Sequence, residues 1–129
     1  MLFRSGNAAS LTFSGNWSLG ANLLALGTGA TAGNQTIIAG AMSGTAGLKV
    51  YNSGTLVLSG VNTYGGTTTI DSPAVFTIGG AGQLGSGSYA GSIVNNGTFN
   101  YNSTASQTLS GVISGTGPLK QNKIGRAHV

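Results

Sequence analysis

Asp71 is the only acidic residue among 129, His128 is the only histidine, and there is no cysteine. That inventory excludes most site chemistry. A carboxylate pair for glycoside hydrolysis, a Cys-His nucleophile and a Cys/His zinc site all lack parts. A Ser-His-Asp triad would rest on the lone His128. Gly80-Ala81-Gly82-Gln83-Leu84-Gly85 fits G-x-G-x-x-G, but a dinucleotide site needs a helix next and an acid about 20 residues on. Ser86-Gly87-Ser88-Tyr89 follows instead, and no acid lies downstream. The stretch reads as a glycine-rich corner. Calcium-binding G-G-x-G repeats need an aspartate that is absent here. Asp71 precedes Ser72-Pro73 and reads as a turn former, not as part of an acid cluster. The expectation is therefore no enzyme, no cofactor and no metal.

The elements that position these residues are strands. The chain holds 24 Gly, 15 Thr, 15 Ser and 11 Asn, no Glu, and only five Lys and Arg. Apolar residues are 40% and charged residues 5%, so polarity comes from hydroxyls and amides. Such a composition favours strands and turns over helix interiors. Leu11/Phe13, Leu48/Val50, Leu56/Leu58, Phe76/Ile78 and Phe99/Tyr101 each place two large residues on one strand face. Asn52-Ser53-Gly54, Ser59-Gly60, Gly79-Gly80, Asn95-Asn96-Gly97 and Ser114-Gly115 separate them as turns.

Residues 38–49 align with residues 109–120 at an offset of 71, and six of the twelve pairs are identical. A restarting sequence favours a β-solenoid of coils of roughly 20–30 residues over an antiparallel β-sandwich, the alternative fold. Stacking one coil on the next places like residues above one another. That selects against repeated charges and for Thr, Val, Ile and Asn.

The last seven residues, 123–129, differ in composition and hold Lys123, Arg126 and His128. Back-translated, they resemble a short-read sequencing adapter, which implies a gene fragment of metagenomic origin. The expected division is a β-helix at 1–122 and a non-native tail at 123–129. Without the tail, Arg4, Lys49 and Lys120 stand against Asp71, a net charge of +2. These charges are scattered, so no nucleic-acid surface is expected. Leu23-Leu24-Ala25-Leu26 is too short for an export signal or a membrane span.

Gly54, Thr55, Leu56, Leu58, Ser59, Gly60, Asn62, Thr63, Tyr64, Gly66, Thr68 and Ile70 form the pattern G-T-L-x-L-S-G-x-N-T-Y-x-G-x-T-x-I. This segment resembles the autotransporter-associated β-strand repeat of bacterial passenger domains. The likeness extends over about residues 40–121, and residues 1–37 share only the composition. Pro118 departs from the family, which more often has a small residue there, and Pro73 adds a rigid turn. The resemblance implies a right-handed parallel β-helix, exported and displayed at the cell surface by a C-terminal outer-membrane barrel not contained in these residues. Membrane attachment would run only through that barrel. The resemblance makes Leu56, Leu58 and Ile70 interior, Gly60 and Gly66 corners and Asn62 a member of a corner ladder, and it leaves Tyr64 between buried edge packing, the favoured role, and ligand binding.

Two functions follow from that resemblance. One is a stalk or adhesive surface that meets a host or cell-surface receptor, a glycan or another copy. The other is a non-catalytic carrier segment of an exported enzyme whose active domain lies elsewhere in the gene. Ice binding would need a regular threonine array, and Thr67-Thr68-Thr69 is a single cluster.

Overall fold

The structure, a computed structural model, describes residues 10–29 and 31–122, and the backbone of Ala127–His128. Coil 1 contains β1 (Ser10–Phe13), β2 (Trp17–Ser18) and β3 (Leu24–Gly27). Coil 2 contains β4 (Gln35–Ile38), β5 (Met42–Ser43) and β6 (Leu48–Tyr51). Coil 3 contains β7 (Thr55–Leu58), β8 (Val61–Asn62) and β9 (Thr68–Ile70). Coil 4 contains β10 (Val75–Ile78), β11 (Gln83–Leu84), β12 (Ser88–Tyr89) and β13 (Ile93–Asn95). Coil 5 contains β14 (Thr98–Tyr101), β15 (Gln107–Leu109) and β16 (Ile113–Ser114), and β17 (Leu119–Gln121) and β18 (Ala127–His128) follow.

Every described strand pair is parallel. The first side of the coil is a six-stranded sheet in the order β1-β4-β7-β10-β14-β17. The third side is a five-stranded sheet, β3-β6-β9-β13-β16. The second side is broken into three short ladders, β2-β5, β8-β11 and β12-β15-β18. This is an all-β parallel β-solenoid. Asn96-Gly97 joins β13 to β14, strands of different sheets, so it makes no antiparallel hairpin.

Period-two alternation fills the interior. Leu11, Thr36, Leu56, Phe76, Phe99 and Leu119 form one inward column of the first side. Phe13, Ile38, Leu58, Ile78 and Tyr101 form the second. Facing them across the core, Leu24, Leu48, Thr68, Ile93 and Ile113 stack on the third side. Phe76 and Phe99 stack with ring centroids 5.4 Å apart. From Ile38 to Tyr101 both first-side columns are buried. Because a parallel ladder aligns like with like, each coil supplies a lid for the coil below.

The coil repeat is 20 residues between Gln35 and Thr55 and again between Thr55 and Val75, but 25 from Ser10 to Gln35 and 23 from Val75 to Thr98. The offset of 71 is therefore not a whole number of coils. Ile38 ends a first-side strand and Leu109 ends a second-side strand. Met42-Ser43 lies on the second side and Ile113-Ser114 on the third, while Leu48 begins a third-side strand and Leu119 a first-side strand. The repeated unit is a corner, a short strand and a corner, used three coils later but one side further round. The expectation that the repeat restarts the coil is corrected accordingly.

The corners explain the glycine content. Gly40, Gly60 and Gly82 occupy successive coils after the first side, and Gly66, Gly91 and Gly111 do so before the third. A Cβ at Gly60 would lie 2.5 Å from the Gly40 carbonyl oxygen, and one at Gly111 would lie 2.2 Å from that of Gly91. Backbone passes directly over backbone at these corners, so any side chain would force the coils apart.

Of the expected tail, residues 123–126 and Val129 lie outside the described residues. Ala127 and His128 pair by backbone with Gln107 and Thr108, a ladder that carries no sequence requirement.

Candidate functional site

Two buried polar groupings bridge neighbouring coils in a core made mostly of apolar side chains. The first is a run of hydroxyls between coils 3 and 4. Tyr64, Thr68 and Tyr89 are all buried. Thr68 occupies an inward position of β9 because strand alternation puts Thr67 and Thr69 on the other face. The Tyr64 hydroxyl lies 2.8 Å from Thr68 Oγ1, which lies 2.9 Å from the Tyr89 hydroxyl. Tyr89 in turn donates to the Gly66 carbonyl. A carbonyl only accepts, so the single proton of Tyr89 is committed there. The order of donation is then fixed: Tyr64 to Thr68, Thr68 to Tyr89, Tyr89 to Gly66. The two tyrosine rings meet edge to face at 5.7 Å. Burial pushes the Tyr64 hydroxyl well above its ordinary pKa, reinforced by the charge Tyr89 would carry, and burial raises Tyr89 as well. Both stay neutral at physiological pH.

The second grouping comprises two side-chain amides where the second-side ladder slips. Asn62 Oδ1 accepts from the Met42 N–H at 2.9 Å, and Asn62 Nδ2 donates to the carbonyls of Gly60 at 2.8 Å and Gln83 at 3.2 Å. One side chain thus ties coil 3 to the coils on either side. Gln107 Oε1 accepts from the Leu84 N–H at 2.7 Å, and its Nε2 donates to the Leu84 carbonyl at 2.9 Å. Here the Gln107 amide stands in for the peptide group a continuous strand would supply. The slip has a local cause. The 3-10 turn Gly85–Gly87 lengthens coil 4, so β11 completes the ladder with β8 while β12 begins a new one with β15. Buried peptide groups must be paired, and Asn62 and Gln107 meet that need where backbone cannot.

Each motif residue has a definite place. Leu56, Leu58, Tyr64, Thr68 and Ile70 face the interior. Gly54, Gly60 and Gly66 lie at corners, each against the backbone of the coil below. Thr55 points outward from β7, while Ser59 follows that strand at a half-buried position. Thr63 is exposed, and its N–H donates to the Met42 carbonyl at 2.7 Å. Asn62 lies inward in the short strand β8, just past the Gly60 corner, its ladder neighbour in coil 4 is Leu84, and in coil 2 it contacts the Met42 backbone. It acts by holding backbone rather than by stacking on another amide. Sequence reading did not single out Thr68 as a hydroxyl bridge, nor Tyr89 or Gln107. The signal available was their inward parity in strands whose other inward residues are apolar.

Nothing opens onto these groups. No cleft or cavity is present among the described residues. No group of three His, Cys, Asp or Glu lies together among them. Asp71 pairs with Lys49 at 3.0 Å on the outside of the third side, and its carbonyl accepts the Ala74 N–H in a turn. Gly80–Gly85 is a corner, the short strand β11 and the start of the 3-10 turn, with no phosphate-binding helix after it. Among the described residues no helix is long and apolar enough to cross a membrane. The described residues form a structural solenoid segment, with no catalytic grouping among them. Comparison with protein-family models, with curated proteins and with solved structures finds no match.

Proposed function

We propose that this chain is a structural β-helix segment of an exported, surface-displayed bacterial protein of the autotransporter type. In that role it serves as a stalk or as an adhesive face. The observation that carries the reading is the Gly54–Ile70 segment. Its repeat pattern coincides with most of one coil, and its alternating residues fill the core, close the corners and join adjacent coils. Residues spent in this way build a rod and leave no reaction centre. Strands run across the rod axis and coils advance about 4.8 Å each along it, so length is gained at low cost in sequence complexity.

The outer surface fits the same reading. Thr55, Val57, Val75 and Thr98 lie on the outer face of the first side at half-buried positions and carry no charge. A receptor, a glycan or a second copy would meet hydroxyls and small aliphatic groups there. The test is to recover the gene on both sides of this segment and to assay the encoded protein on intact cells by protease shaving. An export signal, a C-terminal barrel and surface cleavage are expected. A cytoplasmic product would overturn the reading. An acid-rich or Ser/His-containing domain in the same exported chain would favour the carrier role.

A further inference from the structure

We infer that coils 2–5 form one mechanical block, latched by Asn62 and Gln107, from which coil 1 peels away first under load along the rod axis. The inference is drawn from coil geometry and takes its meaning from the stalk reading. In a parallel solenoid the ladder hydrogen bonds between coils point along the axis. Axial tension therefore opens them one after another, as in peeling, and not all together in shear. Resistance at each interface then depends on what else crosses it.

The crossings differ between interfaces. Coil 2 joins coil 3 through the buried Met42–Asn62 bond. Coil 3 joins coil 4 through Asn62 to Gln83 and through the Thr68–Tyr89–Gly66 hydroxyl run. Coil 4 joins coil 5 through both atoms of the Gln107 amide. The Met42–Asn62, Thr68–Tyr89 and Leu84–Gln107 bonds are buried, so water cannot replace a partner as the interface starts to open, and each must break unaided. Between coils 1 and 2 the bond that corresponds to Met42–Asn62 lies in water. The Ala41 N–H donates to the exposed Asn16 Oδ1 at 2.9 Å, while the buried Thr28 donates through Oγ1 to the carbonyl of half-buried Tyr51 at 3.0 Å. Asn16 and Asn62 thus perform the same operation on coil 2 from opposite sides, one solvated and one sealed.

The chain has no cysteine, so Ser10→Cys and Asn122→Cys provide unique handles for optical tweezers. Two events are expected. The first, at lower force, releases the 25 residues of coil 1, about 80 Å of extended chain. The second opens the block. Asn62→Ala and Gln107→Ala should raise the rupture rate of the second event about tenfold and leave the first unchanged, while Asn16→Ala should affect only the first. Hydrogen exchange of the unmodified chain gives a readout independent of any variant. The Ala41 amide should exchange about tenfold or more faster than those of Met42 and Leu84. A single all-or-none rupture, or equal protection of the three amides, overturns the inference. Neither outcome bears on surface display, so failure here is distinguishable from failure of the stalk reading.

Discussion

At the scale of single residues, backbone clearance and buried hydrogen bonds set the tolerances. Gly60→Ala would bring a methyl carbon to 2.5 Å from a backbone oxygen of coil 2. Neither partner is a flexible side chain that can swing aside. We expect a loss of about 1–3 kcal/mol or more, read by denaturant unfolding; an unchanged midpoint would show that the coils can separate cheaply. The hydroxyl run makes a different prediction. Tyr64 and Tyr89 have pKa values raised by burial in the folded chain, so the unfolded chain loses these protons first as pH rises. The stabilising contribution is therefore complete below about pH 10, the unfolded value, and falls as pH climbs from there toward the folded values. Ionising Tyr89 would also remove the donor to Gly66 and place a phenolate against a carbonyl. Melting temperatures of the wild type should drop steeply above about pH 10. Tyr64→Phe combined with Tyr89→Phe should flatten that drop while lowering stability at pH 7. A parallel drop in both proteins would remove the tyrosines as its source.

At the scale of elements, much of the fold was legible because strand alternation is a local signal. Leu56/Leu58 and Phe76/Ile78 announce an inward face without reference to any other part of the chain, and the glycines announce the corners. What could not be read was which strand lies over which. Coil 4 carries the Gly85–Gly87 turn, and its effect on the second side depends on the coils above and below. The role of Gln107 arises from that mismatch, and that of Asn62 also from the earlier break between β5 and β8. The repeat at 38–49 and 109–120 misled for the same reason: identical strand-and-corner units serve on different sides of the coil. This gives a sharp test by transplantation. Ile38→Leu, Ala39→Ser, Ala41→Val, Met42→Ile and Ala46→Gly, taken from the second copy, should together cost no more than about 1–3 kcal/mol. The sixth change, Gly47→Pro, should not be tolerated. A Cβ there would stand 2.5 Å from the Thr67 carbonyl oxygen in coil 3, whereas Pro118 occupies a corner of a different side. Equal stability with and without that sixth change would contradict the assignment of the two copies to different sides.

At the scale of the whole molecule, the features that make coils stack well within one chain also favour stacking between chains. Charged residues are 5% of the sequence, and the outer columns of the first side carry none from Ser10 to Asn100. Among the described residues β17 ends the first-side sheet, with β14 as its strand neighbour. Leu119, at the end of an inward column, is 39% exposed, and Val112 and Leu23 are 70% and 62% exposed. Soluble β proteins usually protect such edges with lysine, proline or a covering loop, and colloidal repulsion is weak when charge is sparse. The isolated 129-residue polypeptide is therefore expected to associate as its concentration rises. Size-exclusion chromatography with light scattering at several concentrations measures this directly. Leu119→Lys should shift the population toward monomer, because it places a charge at the edge without touching the latches of coils 2–5. Val57→Lys, on the flat outer face, separates the alternatives: if it disperses the chain and Leu119→Lys does not, association runs side by side through the first-side face. A monomer of constant mass across the range, melting cooperatively, would defeat the prediction and show that the chain covers its own edges.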